Sequence, residues 1–310
     1  MSGISPVPLV CLVGPTGAGK TAASLFLAEK FNGAVVNCDS RQVYKDFPII
    51  TAQPSAEEQS KCPHHLYGFL DTRDKMSAGV FLDMASQAIS AIHASGKLPL
   101  LVGGTGMYLK ALLEGIANIP DVPEEISLKW QQLCRQKGAA ALHGVLKGID
   151  PQSATRLHPN DSQRIVRALE VHEATGKTLS WWHEQPLPAS PYRAVKIAIK
   201  TTLDELTPLL AKRIEIMLAQ GAIAEAKAAL AICSDKTAPG WSGIGCAEIY
   251  SYLKGEIDLT ECKRVWLTNT RQYAKRQLTW FRRVENLHWL NTHDLVAMDE
   301  LVETHLATGI

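Results

Sequence analysis

Residues 14–21 read G-P-T-G-A-G-K-T and directly follow the apolar run 8–13. This G-x-x-x-x-G-K-[ST] loop constrains the fold more than any other feature, because it needs a buried strand before it and a helix after it. Its glycines let successive backbone N–H groups converge on one centre, and the helix start adds partial positive charge. Gly14, Pro15, Thr16, Gly17, Ala18, Gly19, Lys20 and Thr21 therefore form a site for a di- or triphosphate. Lys20 reaches over the terminal phosphates, and Thr21 is placed to hold a magnesium ion. The loop does not specify which molecule carries the phosphate.

The flanking sequence alternates in character. Residues 9–13, 34–38 and 98–102 are short apolar runs. Between and after them, 21–31, 78–95 and 107–114 carry helical spacing. Leu25, Ala28 and Phe31 share one face of the first helix; Val80, Met84, Ala88 and Ile92 share one face of the second. Such alternation predicts an α/β fold, with a P-loop NTPase-like parallel sheet core covered on both faces. Ligands of such sheets sit at the carboxyl ends of the strands, where the phosphate loop, Asp39 and Thr105 all fall. The character changes near 119–123, and 124–185 reads as helices only, closed by Pro186, Pro188 and Pro191. Residues 194–199 then read as a strand again. A helical insertion domain over 120–190 is expected between the two parts of the core, 1–119 and 191–310. Beyond Leu203 the chain reads as helical, with a glycine-rich loop at 239–245.

Composition limits the partners. The chain has 310 residues, 46% hydrophobic and 20% charged, which suits a globular protein with a sizeable core. The formal net charge is +1, so a nucleic-acid partner must be met by a local patch. Seven cysteines occur singly with no C-x-x-C pair, which predicts reduced thiols and a cytoplasmic protein. No apolar run approaches the roughly 20 residues of a membrane span, and residues 1–8 lack the basic start and apolar stretch of a signal peptide.

Several constellations carry possible chemistry. Asp39-Ser40-Arg41-Gln42 follows a strand. Asp39 there is a candidate base or an outer magnesium partner, and either Asp39 or Ser40 is equally a helix cap. Gly103-Gly104-Thr105-Gly106 also follows a strand, and no acid succeeds Val102. Many phosphate-loop hydrolases place a magnesium-holding aspartate at such a strand end. Its lack points to hydrogen-bond stabilisation of a leaving phosphate oxygen by Thr105, or to a tight turn capped by Thr105. Asn160-Asp161-Ser162 begins a helix on which Arg164 and Arg167 share a face, either a phosphate-backbone patch or an ordinary solvated face. The stretch 270–283 interleaves Arg271, Lys275, Arg276, Arg282 and Arg283 with Tyr273, Trp280 and Phe281. It reads as a surface for polyanions, with Leu278 and Phe281 as alternative core positions. Cys62-Pro63-His64-His65 packs its donors too closely for a tetrahedral zinc site.

Together, G-P-T-G-A-G-K-T, D-S-R-Q-V-Y, L-V-G-G-T-G-M-Y, H-P-N-D-S-Q-R-I-V-R-A-L-E-V and T-R-Q-Y-A-K-R-Q-L-T-W-F resemble the tRNA dimethylallyltransferase family, in order and spacing over nearly the whole chain. The resemblance implies transfer of a dimethylallyl group from dimethylallyl pyrophosphate to N6 of the adenosine just 3′ of a tRNA anticodon. It implies that residues 14–21 and Arg213 hold the pyrophosphate with Mg2+, that Lys20 offsets its charge, that Asp39 is the general base, and that Thr105 bonds the bridging oxygen. It further implies contacts to the tRNA anticodon stem-loop from Asp39, Ser40, Arg41, Gln42 and Thr105. Gln163, Arg164, Ile165, Val166, Arg167, Arg271, Lys275 and Arg276 are implied to contact the same RNA. The enzyme is expected to be a monomer with no membrane partner. Leu209, Ala247 and Ser127 stand where the family commonly carries cations. The competing readings are an adenylate isopentenyltransferase, an ATP-dependent small-molecule kinase and a non-catalytic RNA-binding protein. The helical insertion and the A-K-R-Q-L-T-W block argue against the first, and the G-G-T-G element argues against the second. The intact set Lys20, Thr21, Asp39 and Thr105 argues against the third.

Overall fold

A computed structural model describes residues 6–308; for residues 1–5 the reading of the N-terminus lies outside the described part. Its strands are β1 (Val7–Val13), β2 (Gly33–Asn37), β3 (His64–His65), β4 (Leu98–Gly103), β5 (Tyr192–Ile199) and β6 (Leu287–Leu290). They form one all-parallel sheet in the order β3-β2-β4-β1-β5-β6. The first half of the chain supplies α1 (Lys20–Lys30), α2 (Ala56–Lys61), α3 (Ala78–Ala94) and α4 (Gly106–Glu114). Next come α5 (Glu124–Lys137), α6 (Ala139–Ile149), α7 (Pro151–Arg156), α8 (Ser162–Thr175) and α9 (Leu179–His183). After β5 follow α10 (Leu203–Ala219), α11 (Ala222–Ile232), α12 (Cys246–Leu253), α13 (Leu259–Phe281) and, beyond β6, α14 (Leu295–Ala307).

Residues Glu114–Ala189 pack as a unit of their own, and the chain on either side of them forms the other. In the larger unit, alternate residues of the strands feed two apolar layers. Val10 and Leu12 of β1 join Leu100, Ile197 and Ile199 beneath α1, α10 and α14. Leu9, Cys11 and Val13 join Val36 and Leu101 beneath α3, α4 and the end of α13. Burial on both faces explains why the strands read as continuous apolar runs rather than as alternating ones. The smaller unit is helical, α5 to α9, around Leu142, Leu146, Ile165 and Leu169. Its Asp150 accepts the Ser153 N–H at 3.0 Å and the Ser180 N–H at 3.0 Å, so one buried carboxylate starts α7 and anchors α9.

Three sequence expectations are corrected. On α3 the buried line is Phe81, Ala85, Ile89 and Ile92, one position after the expected Val80, Met84 and Ala88, and Val80 is 48% exposed. Phe81 stacks on Tyr108 with ring centroids 3.9 Å apart, and this aromatic anchor sets the rotation of the helix. On α1 the buried line is Ala23, Ser24, Leu27 and Ala28. Leu25 and Phe31 flank it, because small residues let the helix sit close to the sheet. The segment after Leu203 is not wholly helical. Residues 287–290 become a strand by pairing with Lys196–Ile199 of β5, a tertiary effect that four residues cannot signal alone.

The site-forming edge of the sheet depends on one close approach. A Cβ on Gly103 would lie 2.2 Å from both the carbonyl carbon and the oxygen of Cys38. Those are backbone atoms of the neighbouring chain segment and cannot yield as a side chain would. Gly103→Ala is expected to cost about 3 kcal/mol or more in chemical denaturation. Gly144→Ala, at a helical position with open space around it, is expected to gain about 0.5–1 kcal/mol. Equal effects of the two would contradict the close approach.

Candidate active site

β1 ends at Val13 and α1 begins at Lys20, so the intervening loop is held by sheet on one side and helix on the other. The loop curls through left-handed backbone at Gly17 and Gly19, with φ of 81° and 89°. It borders a cavity of about 250 Å³ that is also lined by Thr21, Ser24, Tyr67 and Arg213. The Lys20 ammonium folds back on the loop and donates to the Gly14 carbonyl at 3.0 Å and the Pro15 carbonyl at 2.8 Å. Burial pulls Lys20 down to about 8, against the opposing attraction of Asp39. Burial also lowers Arg213, again opposed by Asp39. Leu209, one turn before Arg213 on α10, lines the same cavity without charge.

Asp39 and Thr105 meet beside this cavity. The Thr105 N–H donates to the Cys38 carbonyl at 3.0 Å, which pins the turn after β4 to the end of β2. The Thr105 hydroxyl accepts the Ser40 N–H at 3.0 Å and lies 3.4 Å from the Ser40 hydroxyl, a weak acceptor. One lone pair of Thr105 is thereby occupied and its proton remains available to another oxygen. Asp39 accepts the Arg41 N–H at 2.8 Å through one carboxylate oxygen, Oδ1, an Asx-type turn rather than a helix cap. Its own N–H is held by Asn37 Oδ1 at 2.8 Å, and Asn37 is buried. The adjacent Cys38 thiol is pushed well up by burial, so no thiolate competes as a nucleophile.

A second cavity, of about 270 Å³, adjoins the first and shares Thr16, Asp39, Thr51 and Arg213 with it. Its other walls combine an apolar set, Ile50, Leu210, Ile214, Met217, Ile244 and Trp266, with a polar set that includes Arg41, Thr270, Tyr273 and Arg276. Glu225 holds the Ile50 wall in place by accepting the Ile49 and Ile50 N–H groups at 2.7 and 2.9 Å. Tyr273 from α13 lines this second cavity and is pushed up by burial and by the Asp39 charge. Asp39 therefore stands where the cavity beside the glycine-rich loop meets a second, partly apolar one.

The remaining sequence candidates divide. Arg41 donates to the Ser242 hydroxyl at 3.0 Å and the Pro239 carbonyl at 3.2 Å, so it fastens the loop at 239–242. Gln42 donates to the Thr51 and Ala52 carbonyls and fixes the cavity rim. Ile165 and Val166, expected at an RNA surface, are buried in the core of the helical unit. The apolar phase of α8 demands this, and Gln163, Arg164 and Arg167 carry its exposed face. Arg271 is tied to α10 through Thr207 at 3.0 Å and Asp204 at 3.6 Å. Lys275 and Arg276 are exposed on α13, where they border a shallow pocket with Trp280 and Arg283. Sequence reasoning assigned no role to Gln277, which is 4% exposed and hydrogen-bonded to both site loops. Its signal was a polar residue in the apolar phase of α13, between Ala274 and Leu278.

A family model described as IPP transferase matches residues 42–284. A tRNA dimethylallyltransferase of Oleidesulfovibrio alaskensis is 70% identical over 298 residues, 96% of this chain and 98% of the relative. Among solved structures, the full-length tRNA isopentenylpyrophosphate transferase of Bacillus halodurans is 37% identical with a TM-score of 0.69, covering 97% of this chain and 96% of that one. A eukaryotic dimethylallyltransferase acting on tRNA is 30% identical with a TM-score of 0.81, covering 97% and 77%.

Because Lys20 in the ligand-free site titrates near 8, it is charged below that pH and neutral above it. Affinity for inorganic pyrophosphate, measured by calorimetry, is expected to weaken as pH rises through about 8. The Lys20→Arg variant, whose guanidinium stays charged, should not show that loss, and the difference between the two removes the ligand's own titration. Identical pH profiles would contradict the assignment.

Proposed function

We infer that this chain, which belongs to the IPP transferase family, transfers a dimethylallyl group from dimethylallyl pyrophosphate to N6 of the adenosine 3′-adjacent to a tRNA anticodon. The observation that carries the reading is the position of Asp39 at the junction of the cavity holding Lys20 and a second one with an apolar wall. The pyrophosphate suits the loop 14–21, Lys20 and Arg213, and the five-carbon chain suits the walls formed by Ile50, Ile214, Met217 and Trp266. C1 of the allyl group would then lie near Asp39 and Thr105.

The N6 lone pair attacks C1, the C1–O bond breaks, and its electron pair goes to the bridging oxygen of pyrophosphate. Lys20, Arg213 and the loop N–H groups offset the charge that develops there, and the Thr105 proton bonds the bridging oxygen. An exocyclic amine becomes acidic only as the new C–N bond forms, so the N6 proton passes late to the Asp39 carboxylate. The Thr21 hydroxyl lines the phosphate cavity, and its hard oxygen fits magnesium carried in on the pyrophosphate. No group of three or more His, Cys, Asp or Glu side chains suited to a metal exists among the described residues. Magnesium, when bound, would supply further charge neutralisation on the phosphates.

The target base must leave its stack to reach such a pocket. Ser40, Arg41, Gln163, Arg164, Arg167, Lys275 and Arg276 are the proposed contacts to the anticodon stem-loop. All seven cysteines are free, which suits a reducing cytoplasm. No helix among the described residues is long and apolar enough to cross a membrane.

Asp39→Asn is expected to lower the transfer rate about 10²–10⁴-fold, and Thr105→Ala about 10²-fold. Both should leave dimethylallyl pyrophosphate binding within a few-fold of wild type. Transfer to unmodified tRNA at a wild-type rate by Asp39→Asn would sink the assignment of the base.

A further inference from the structure

α13 reaches the active site with an amide where its apolar phase calls for a hydrocarbon. Gln277 lies in the buried stripe of Ala274, Leu278 and Phe281 and is itself 4% exposed. Its Oε1 accepts the Thr16 N–H at 2.9 Å, and its Nε2 donates to the Gly104 carbonyl at 2.9 Å. An N–H can only donate and a carbonyl can only accept, so the two partners fix which way the amide points. Thr16 belongs to the phosphate loop, and Gly104 is the residue before Thr105.

These loops leave adjacent strands. The parallel pairing of β1 with β4 ends at Val13 opposite Gly103. Beyond that pair the Gln277 side chain continues the cross-link that the ladder no longer makes. The fit is close, for a Cβ on Gly104 would lie 2.1 Å from Gln277 Nε2. One turn along α13, Trp280 is equally close to Gly106, where a Cβ would lie 2.0 Å from Nε1. Thr105 is thus gripped from the same helix on both sides.

We propose that Gln277 is a positioning residue for the transfer. Its carboxamide sets the spacing between the phosphate loop and the 103–106 turn, and so holds the Thr105 hydroxyl at the bridging oxygen of the pyrophosphate. A purely structural glutamine would be as well replaced by an apolar side chain that fills the stripe. A glutamine that aligns two loops would not, because a displacement of about 1 Å at reacting atoms can cost about 10²-fold in rate. The inference rests on the functional reading above and goes beyond it by assigning a residue that touches no substrate.

The test uses the full chain in single-turnover transfer from labelled dimethylallyl pyrophosphate to unmodified tRNA, enzyme in excess. Gln277→Met removes both hydrogen bonds, and Gln277→Glu keeps the acceptor for Thr16 but opposes the Gly104 carbonyl. Each is expected to slow transfer about 10–100-fold while tRNA affinity stays within about twofold. If Gln277 acts through Thr105, Gln277→Met should slow a Thr105→Ala background by less than about threefold, a non-additive pair. Tyr250→Phe, which loses a buried bond to the Ser234 carbonyl at 2.7 Å, is the stability control and should transfer at the wild-type rate. Should Gln277→Met fail to fold, Gln277→Glu carries the same comparison. A wild-type rate in the Gln277 variants, or the same slowing with and without Thr105, overturns the inference while leaving the functional reading in place. A wild-type chain that transfers nothing overturns both.

Discussion

At the end of β4 the Gly103 backbone lies against the Cys38 carbonyl, and the proposed reacting groups take their places from that contact. Cys38 N donates to Val102 O at 2.7 Å and Thr105 N to Cys38 O at 3.0 Å, so β2 and β4 finish in register. Asp39 and Ser40 on one strand end are then brought to Thr105 on the other. The neighbouring strand β1 delivers the phosphate loop to the same edge. A side chain at residue 103 would part these segments, which is why the turn reads G-G-T-G rather than carrying the acid usual in phosphate-loop hydrolases.

The electrostatics of the site follow from its burial. Lys20 and Arg213 are desolvated, and Asp39 partly compensates both. On the proposed reading, a pyrophosphate brings the anionic charge that pairs with these cations, and they stabilise its departure. The cavity on the other side of Asp39 combines apolar walls with Arg41 and Arg276. Water activation has no place in this arrangement, because the acceptor is an amine.

Much of this was legible in the sequence. The phosphate loop, Asp39 and Thr105 each follow an apolar run, and a parallel sheet places such residues at one edge. The parts that were not legible are set by tertiary contacts. The rotation of α3 is decided by Phe81 on Tyr108, and β6 exists because β5 offers it an edge. Ile165 and Val166 belong to a motif whose charged members are exposed, but the helix period turns those two inward. Gln277 and Tyr273 sit in a basic stretch that reads as surface. Only the approach of α13 to two loops more than 170 residues away in sequence shows that they face the site.

The most direct test of the account is product analysis after incubating the chain with labelled dimethylallyl pyrophosphate, magnesium and unmodified tRNA, with AMP and ATP offered in parallel. The account predicts label on N6 of the adenosine 3′-adjacent to the anticodon, with one pyrophosphate released per transfer and no ATP consumed. Label on AMP alone, or ATP turnover with no label on any acceptor, would contradict it.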